Sequence, residues 1–306
     1  MRHSMVLSGS LLLAAFLLAT GASGQTAGGE GLSPTLSAIK SSHTVRLGYR
    51  ESSPPFSFLD QSGRPIGYSL ELCEAVVEQI GVEVDDPNLR IDYVKVTSDD
   101  RIDAVIANKI DLECGSTTAN AERARRVAFS PLMFVAGTKL MVPKASSVQS
   151  LTDLKGKTVV VTKGTTNEQA IQAADKKFAL GLTIAVGADH EQSFQMLADG
   201  KADAFATDDI LLSGLIARHK AQDRFRVTGD YLSYDPYGIM FRKGEPQLSA
   251  VIERTFRKLG SNHDLVPLYN KWFTARLPTG ERLNVPISLQ LEEAFKAMDD
   301  SASANN

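Results

Sequence analysis

Lys109-Ile-Asp-Leu-Glu-Cys-Gly-Ser116 and Lys201-Ala-Asp-Ala-Phe-Ala-Thr-Asp208 lie 92 residues apart and follow one plan. The same offset superposes Ser98 on His190, Ile102 on Phe194 and Val105 on Leu197. Each copy reads as a capped helix, a Lys-x-Asp turn, a buried strand and then a polar residue. A strand of this kind delivers its last residue to the carboxyl edge of a sheet, where open α/β folds bind their ligands. Two similar lobes would therefore turn Ser116 and Asp208 toward one cleft.

Outward from this pair, strands and helices alternate. Val45–Tyr49, Ile91–Val96, Asp111–Cys114, Thr158–Thr162, Leu182–Val186, Ala202–Ala206 and Phe225–Thr228 read as strands. Helical spacing is found in Tyr68–Ile80, Ser98–Asn108, Asn120–Arg126, Thr165–Phe178, Glu191–Asp199 and Ile210–His219, and Pro246–Phe273 is mostly helical. Ser98 is the expected N-cap of its helix, with acids in the first turn. The alternation predicts an α/β fold.

The 306 residues suggest about two domains. With 43% hydrophobic and 23% charged residues the composition is that of a globular chain, not a fibrous or wholly disordered one. Met1–Gly24 reads as an export signal, with Arg2 and His3 before the apolar run Leu11–Ala19 and small residues at 22–24. No Cys follows to take a lipid. Without Arg2 the exported chain would carry 32 basic against 36 acidic side chains, a net charge of −4. That lacks the basic surplus of a nucleic-acid binder. Residues 25–37 and 299–306 are expected to be loose.

Enzyme templates fail along the chain. His190-Glu191 lacks the second His of a zinc-protease helix, and Leu151 stands where a phosphate loop needs its first Gly. Gly-x-Ser-x-Gly and the dinucleotide glycine fingerprint are both missing. Five His are scattered without metal spacing. No catalytic residue, metal or cofactor is expected.

Three polar loops carry the chemistry instead: Arg50–Phe56, Cys114–Arg123 and Lys163–Glu168. In the last, Gly164 permits a tight turn and Thr165 or Thr166 can cap the following helix, whose free N–H groups favour an anion. In the second, hydroxyls gather beside Arg123, whose guanidinium can donate two parallel hydrogen bonds to a carboxylate.

At these loops the chain resembles the periplasmic amino-acid-binding proteins of ABC importers, solute-binding family 3, over about residues 36–295. The specific stretches are Arg50–Phe58 (RESSPPFSF), Glu113–Arg123 (ECGSTTANAER), Asp153–Glu168 (DLKGKTVVVTKGTTNE), Asp189–Phe194 and Tyr237–Arg242. The resemblance implies a two-lobe fold with two hinge strands and the ligand held in the cleft between lobes. Lobe 1 would comprise residues 38–135 plus 238–295 and lobe 2 residues 136–237, followed by a loose tail over 296–306. The crossings would fall near Phe134–Gly137 and Pro236–Met240.

The site is carried over on the same terms. Arg123 matches the arginine that takes the ligand's α-carboxylate, with Ser116 and Thr118 beside it and Thr165 and Thr166 from the other lobe. Asp208 matches the carboxylate that holds the α-ammonium, and its neighbour Asp209 is expected to point elsewhere. Arg50 stands where members that bind basic amino acids carry an acid. Members that take glutamate and aspartate also have matches to Ser98, Arg101 and His190. Together these imply L-glutamate or L-aspartate as ligand, because a cationic pocket rejects Lys or Arg and an unpaired buried cation penalises glutamine. The competing readings are Arg50 as a solvated loop residue, Arg101 as a partner of Asp99 or Asp100, and His190 as a helix cap. Phe56, Phe58 and Trp272 are expected in the core.

The implied role is capture by lobe closure in the periplasm, as a monomer, and delivery to an inner-membrane ABC permease. The alternative is an exported cyclohexadienyl or arogenate dehydratase-like enzyme on the same fold, against which the ammonium site at Asp208 argues. Export permits a disulfide between Cys73 and Cys114. Two inert thiols, one on an apolar helix face and one in a buried strand, are as reasonable, and the expectation leans slightly to free thiols.

Overall fold

A computed structural model describes residues 31–303, so the export signal expected over residues 1–24 lies outside the described residues. The first elements are α1 (Pro34–Ser42), β1 (Thr44–Tyr49), β2 (Ser52–Ser53), β3 (Ser57–Leu59), β4 (Pro65–Ile66) and α2 (Tyr68–Val84). They are followed by β5 (Arg90–Lys95), α3 (Arg101–Ile106), β6 (Leu112–Glu113), β7 (Val127–Phe129), β8 (Phe134–Ala136) and β9 (Thr138–Pro143). Next come β10 (Thr158–Thr162), α4 (Thr166–Phe178), β11 (Thr183–Gly187), α5 (His190–Ala198), β12 (Ala204–Asp208) and α6 (Asp209–Arg218). The chain closes with β13 (Phe225–Thr228), β14 (Asp235–Tyr237), β15 (Met240–Arg242), α7 (Pro246–Ser261), α8 (Leu265–Phe273) and α9 (Leu289–Ser303).

Two five-stranded sheets, one per lobe, share a topology. Their orders are β5-β1-β6-β15-β7 and β11-β10-β12-β9-β13. In each, the first three strands are parallel and the other two join antiparallel to their respective neighbours. The 92-residue echo is visible in the register. Leu112 and Glu113 pair with Leu47 and Gly48 in the first sheet, and Ala204 and Phe205 pair with Val159 and Val160 in the second. The chain passes between sheets at β8 and β14, which pair antiparallel from Phe134↔Tyr237 to Ala136↔Asp235.

Each sheet is covered on both faces, as parallel strands require. Helix α2 buries Leu72, Cys73, Val76 and Ile80 against β1 and the C-terminal helices. Phe56 and Phe58 are in this core, and Trp272 packs edge-on to Phe58 at 6.0 Å. The second sheet separates a Leu140–Val159–Ile171 cluster from a Phe194–Phe205–Leu215 cluster. No helix among the described residues is long and apolar enough to cross a membrane.

Four sequence expectations need correction. Residues 34–37, expected loose, begin α1, with Pro34 in its first turn and Leu36 buried. Residues 296–303, expected as a loose tail, complete α9, because Leu291 and Phe295 are buried in the lobe 1 core. Asn120–Arg126 forms only a 3-10 turn over Arg123–Arg125. Cys73 and Cys114, expected free, form a disulfide with Cα atoms 6.2 Å apart. The covered face of α2 lies directly over the end of β6, which the sequence separation of 41 residues could not reveal.

Candidate functional site

Every parallel strand delivers residues to the cleft from its carboxyl end. Arg50 follows β1, Ser98 and Arg101 follow β5, and Ser116 and Thr118 follow β6. From the other lobe, Thr165 and Thr166 follow β10, His190 follows β11, and Asp208 ends β12. Local bonds fix several of them. Ser57 Oγ accepts from Arg50 N at 2.8 Å. Thr165 Oγ1 caps α4 by accepting from Glu168 N at 3.1 Å. Asp189, rather than His190, caps α5 through Gln192 N at 2.8 Å. Ser98 is not a cap either: Thr97 and Asp100 exchange bonds, Thr97 N to Asp100 Oδ1 at 2.7 Å and Asp100 N to Thr97 Oγ1 at 3.2 Å, and α3 begins only at Arg101. That releases the buried Ser98 hydroxyl from a structural role.

Arg50, Arg101, Ser116, Thr118, Thr165, Thr166, His190 and Asp208 line one cavity, together with Asn167 and Leu211. Ser98 and Arg123 line the adjoining groove, which shares Thr165. Arg123 spans the lobes, donating from Nη1 to Thr118 O at 3.0 Å and from Nη2 to Gly164 O at 3.3 Å. Two of its five N–H donors are thereby used. Across the cleft, Ser53 Oγ meets His190 Nδ1 at 3.1 Å and Lys163 Nζ meets Asp99 at 2.9 Å. Gly164 lies so close to this contact that a Cβ there would sit 2.7 Å from Asp99 Cα.

The cavity and its adjoining groove are rich in buried polar atoms without partners. Arg50 Nη1 and Nη2, Arg101 Nε, Ser98 Oγ, Ser116 Oγ and His190 Nε2 are all buried with no hydrogen-bond partner. Arg50 and Arg101 are 1% and 2% exposed, which excludes the solvated-loop alternative for Arg50. Burial, and next the charge of Arg101, lower the pKa of Arg50 to about 10. Arg123 is likewise brought down to about 10 by burial and then by Arg101. Burial, then Arg50 and Arg101, push His190 well below its usual range, so it is neutral near pH 7. Such an arrangement accepts a small anion: buried guanidinium groups crowd one another and gain most from a carboxylate.

The opposite charge stands at Asp208. It accepts from Asn167 Nδ2 at 2.8 Å and from the Tyr237 hydroxyl. Burial, and next the nearby Asp235, raise its carboxyl to about 7 despite those bonds. Asp209 points away and accepts from Tyr231 OH at 2.7 Å.

Two buried acids escaped the sequence reading. Glu113 is fully buried, both its oxygens lack hydrogen-bond partners, and its charge acts on Arg50, Arg101 and Arg123. A signal was present: its counterpart in the 92-residue echo is the apolar Phe205. Asp235, 2% exposed on β14, accepts from Thr118 Oγ1 at 3.1 Å and Thr166 Oγ1 at 2.9 Å. So around the cleft three buried arginines face three buried carboxylates, rather than the cationic pocket that the sequence implied.

The family model "Bacterial extracellular solute-binding proteins, family 3" matches residues 45–275. The chain is 41% identical over 276 residues to the L-glutamate/L-aspartate-binding protein of Pseudomonas aeruginosa, covering 89% of this chain and 91% of that one. It is 34% identical over 269 residues to the glutamate/aspartate import solute-binding protein of Escherichia coli, covering 88% and 89%. Among solved structures, an ancestral arginine-binding protein bound to arginine superposes with a TM-score of 0.68 at 30% identity, covering 76% of this chain and 98% of its own.

Proposed function

The chain belongs to family 3 of the bacterial extracellular solute-binding proteins, and on that premise we propose that it captures L-glutamate or L-aspartate by lobe closure. Membership makes it a binding protein rather than an enzyme. The observation that carries the ligand assignment is the set of buried, unpartnered guanidinium donors on Arg50 and Arg101 in a cavity that also holds Asp208.

In this reading Arg50 and Arg101, with Ser98 and His190, take the ligand's side-chain carboxylate. Arg123, with backbone N–H groups of Thr118 and of the start of α4 at Thr165 and Thr166, takes the α-carboxylate, and Asp208 and Ser116 take the ammonium. The first lobe comprises about residues 38–135 plus 238–295 with both terminal helices added, and the second about residues 136–237. Ligand contacts from both lobes favour the closed form by their differential affinity for it. The closed monomer then delivers its cargo to an ABC permease from the periplasm. Native mass spectrometry of protein purified without denaturation tests this reading. A retained mass matching glutamate or aspartate is expected, and one matching lysine or arginine contradicts it.

A further inference from the structure

Asp235 lies at the end of β14 facing Ala136 of β8, on the strand pair that joins the lobes. One of its oxygens, Oδ1, accepts from two lobes at once, Thr118 Oγ1 at 3.1 Å and Thr166 Oγ1 at 2.9 Å. The other accepts from Ser233 Oγ. Ser233 Oγ contacts Thr138 Oγ1 at 2.7 Å, Asn167 Nδ2 donates to Thr138 Oγ1 at 2.6 Å, and Asn167 Nδ2 also donates to Asp208 Oδ1 at 2.8 Å. A buried chain of polar groups thus runs from the hinge to the proposed ammonium site. Its members are fully engaged, which is the condition under which such a network fixes geometry.

The hydroxyl chemistry follows. A hydroxyl has one proton and two lone pairs. Thr118 and Thr166 commit their protons to Asp235, so toward the cavity each offers only an acceptor. An acceptor suits an ammonium and cannot donate to a carboxylate. Near Asp208 the charged and titratable groups are Asp235 and Tyr237 from β14, Asp209 from α6, and Arg101 and Arg123 from the first lobe. Of these, Asp235 and Asp209 favour its neutral form, while the Tyr237 hydroxyl, by donating to it, and the arginines favour its ionised form.

We infer that Asp235 is a positioning residue: from the hinge it clasps Thr118 and Thr166 in the closed form and sets the charge that Asp208 presents to the ligand's ammonium. The assignment rests on the proposed amino-acid ligand for its second half only. The clasp itself exists without ligand.

The test compares wild type, Asp235→Asn and Asp235→Ala. Asparagine keeps an acceptor oxygen for the clasp and removes the charge; alanine removes both. In ligand-free protein, carbon-13 NMR of labelled aspartates should show the Asp208 midpoint, assigned with Asp208→Asn, falling by about one pH unit in Asp235→Asn. Calorimetric titration with L-glutamate between about pH 5.5 and about pH 8.5 should show the acid-side loss of affinity moving the same way. At the alkaline end Asp235→Ala should bind about tenfold or more weakly than Asp235→Asn, a partial rescue by the retained oxygen. An unchanged Asp208 midpoint in Asp235→Asn overturns the inference, and this measurement decides the matter if Asp235→Ala fails to fold. Equal glutamate affinity of all three proteins at every pH also overturns it. If wild type binds no glutamate, the ligand proposal fails, while the midpoint shift still tests the coupling.

Discussion

Arg50 is a fully buried guanidinium whose terminal nitrogens have no partner in the protein. A charge-assisted hydrogen bond is worth about 1.5–3 kcal/mol, so Arg50→Ala should weaken glutamate binding by about 10- to 100-fold. Glutamine should lose less, and equal losses for both ligands would contradict the side-chain carboxylate assignment. At the other end of the ligand, Asp208 must be ionised to pair with an ammonium. Its carboxyl sits at about 7 in the free protein, so the bound ammonium lowers that value and binding releases protons below it. Affinity should therefore hold above about pH 7.5 and fall as pH drops through 7, approaching tenfold per pH unit at the acid limit. Asp208→Asn should bind weakly at all pH and lose this acid limb. His190 cannot supply the limb, because its pKa is depressed well below 6.5. An acid limb that survives in Asp208→Asn would show that another group titrates.

Helix α2 and strand β6 are joined by Cys73–Cys114, and α2 also reaches the next residue, Ser69 Oγ donating to Gly115 O at 2.8 Å. Gly115 is needed where it stands: a Cβ there would fall 2.3 Å from Glu113 Oε1 and 3.0 Å from Arg50 Cγ. Replacing both cysteines by alanine should lower the unfolding free energy by about 2–4 kcal/mol, read by chemical denaturation without reductant. No change would mean that the pair contributes nothing beyond packing. At the C-terminus, Phe295→Ala in α9 should cost about 3–5 kcal/mol. A neutral result would restore the loose-tail reading.

At this scale the limits of the sequence become physical. The 92-residue echo located β6 and β12 to within a register, because buried strands after a Lys-x-Asp turn leave a local pattern. Ser98 lost the cap because Thr97 and Asp100 close the preceding turn on each other and α3 starts only at Arg101, which no local pattern distinguishes in sequence. Nothing local marked Asp235: its chemistry comes from Thr118 and Thr166, 117 and 69 residues away. The discontinuous lobe was legible only by resemblance, since β15 joins β6 and β7 across more than a hundred residues of chain.

Over the whole molecule, function depends on two lobes meeting. They touch at Gly164, whose φ of +73° and contact with Asp99 and Ser98 backbone leave no room for a side chain. Gly164→Ala should leave both lobes folded but hinder their approach. X-ray scattering should then show less compaction on adding glutamate than in wild type, and wild-type compaction would contradict a closing contact there.

The central claim is that buried guanidinium groups without partners select an amino acid bearing an extra carboxylate. Isothermal titration of the ligand-stripped protein with L-glutamate, L-aspartate, L-glutamine and L-lysine tests it most directly. The account expects strong binding of glutamate or aspartate, much weaker glutamine and no heat with lysine. Lysine or glutamine binding as tightly as the acidic amino acids would contradict it.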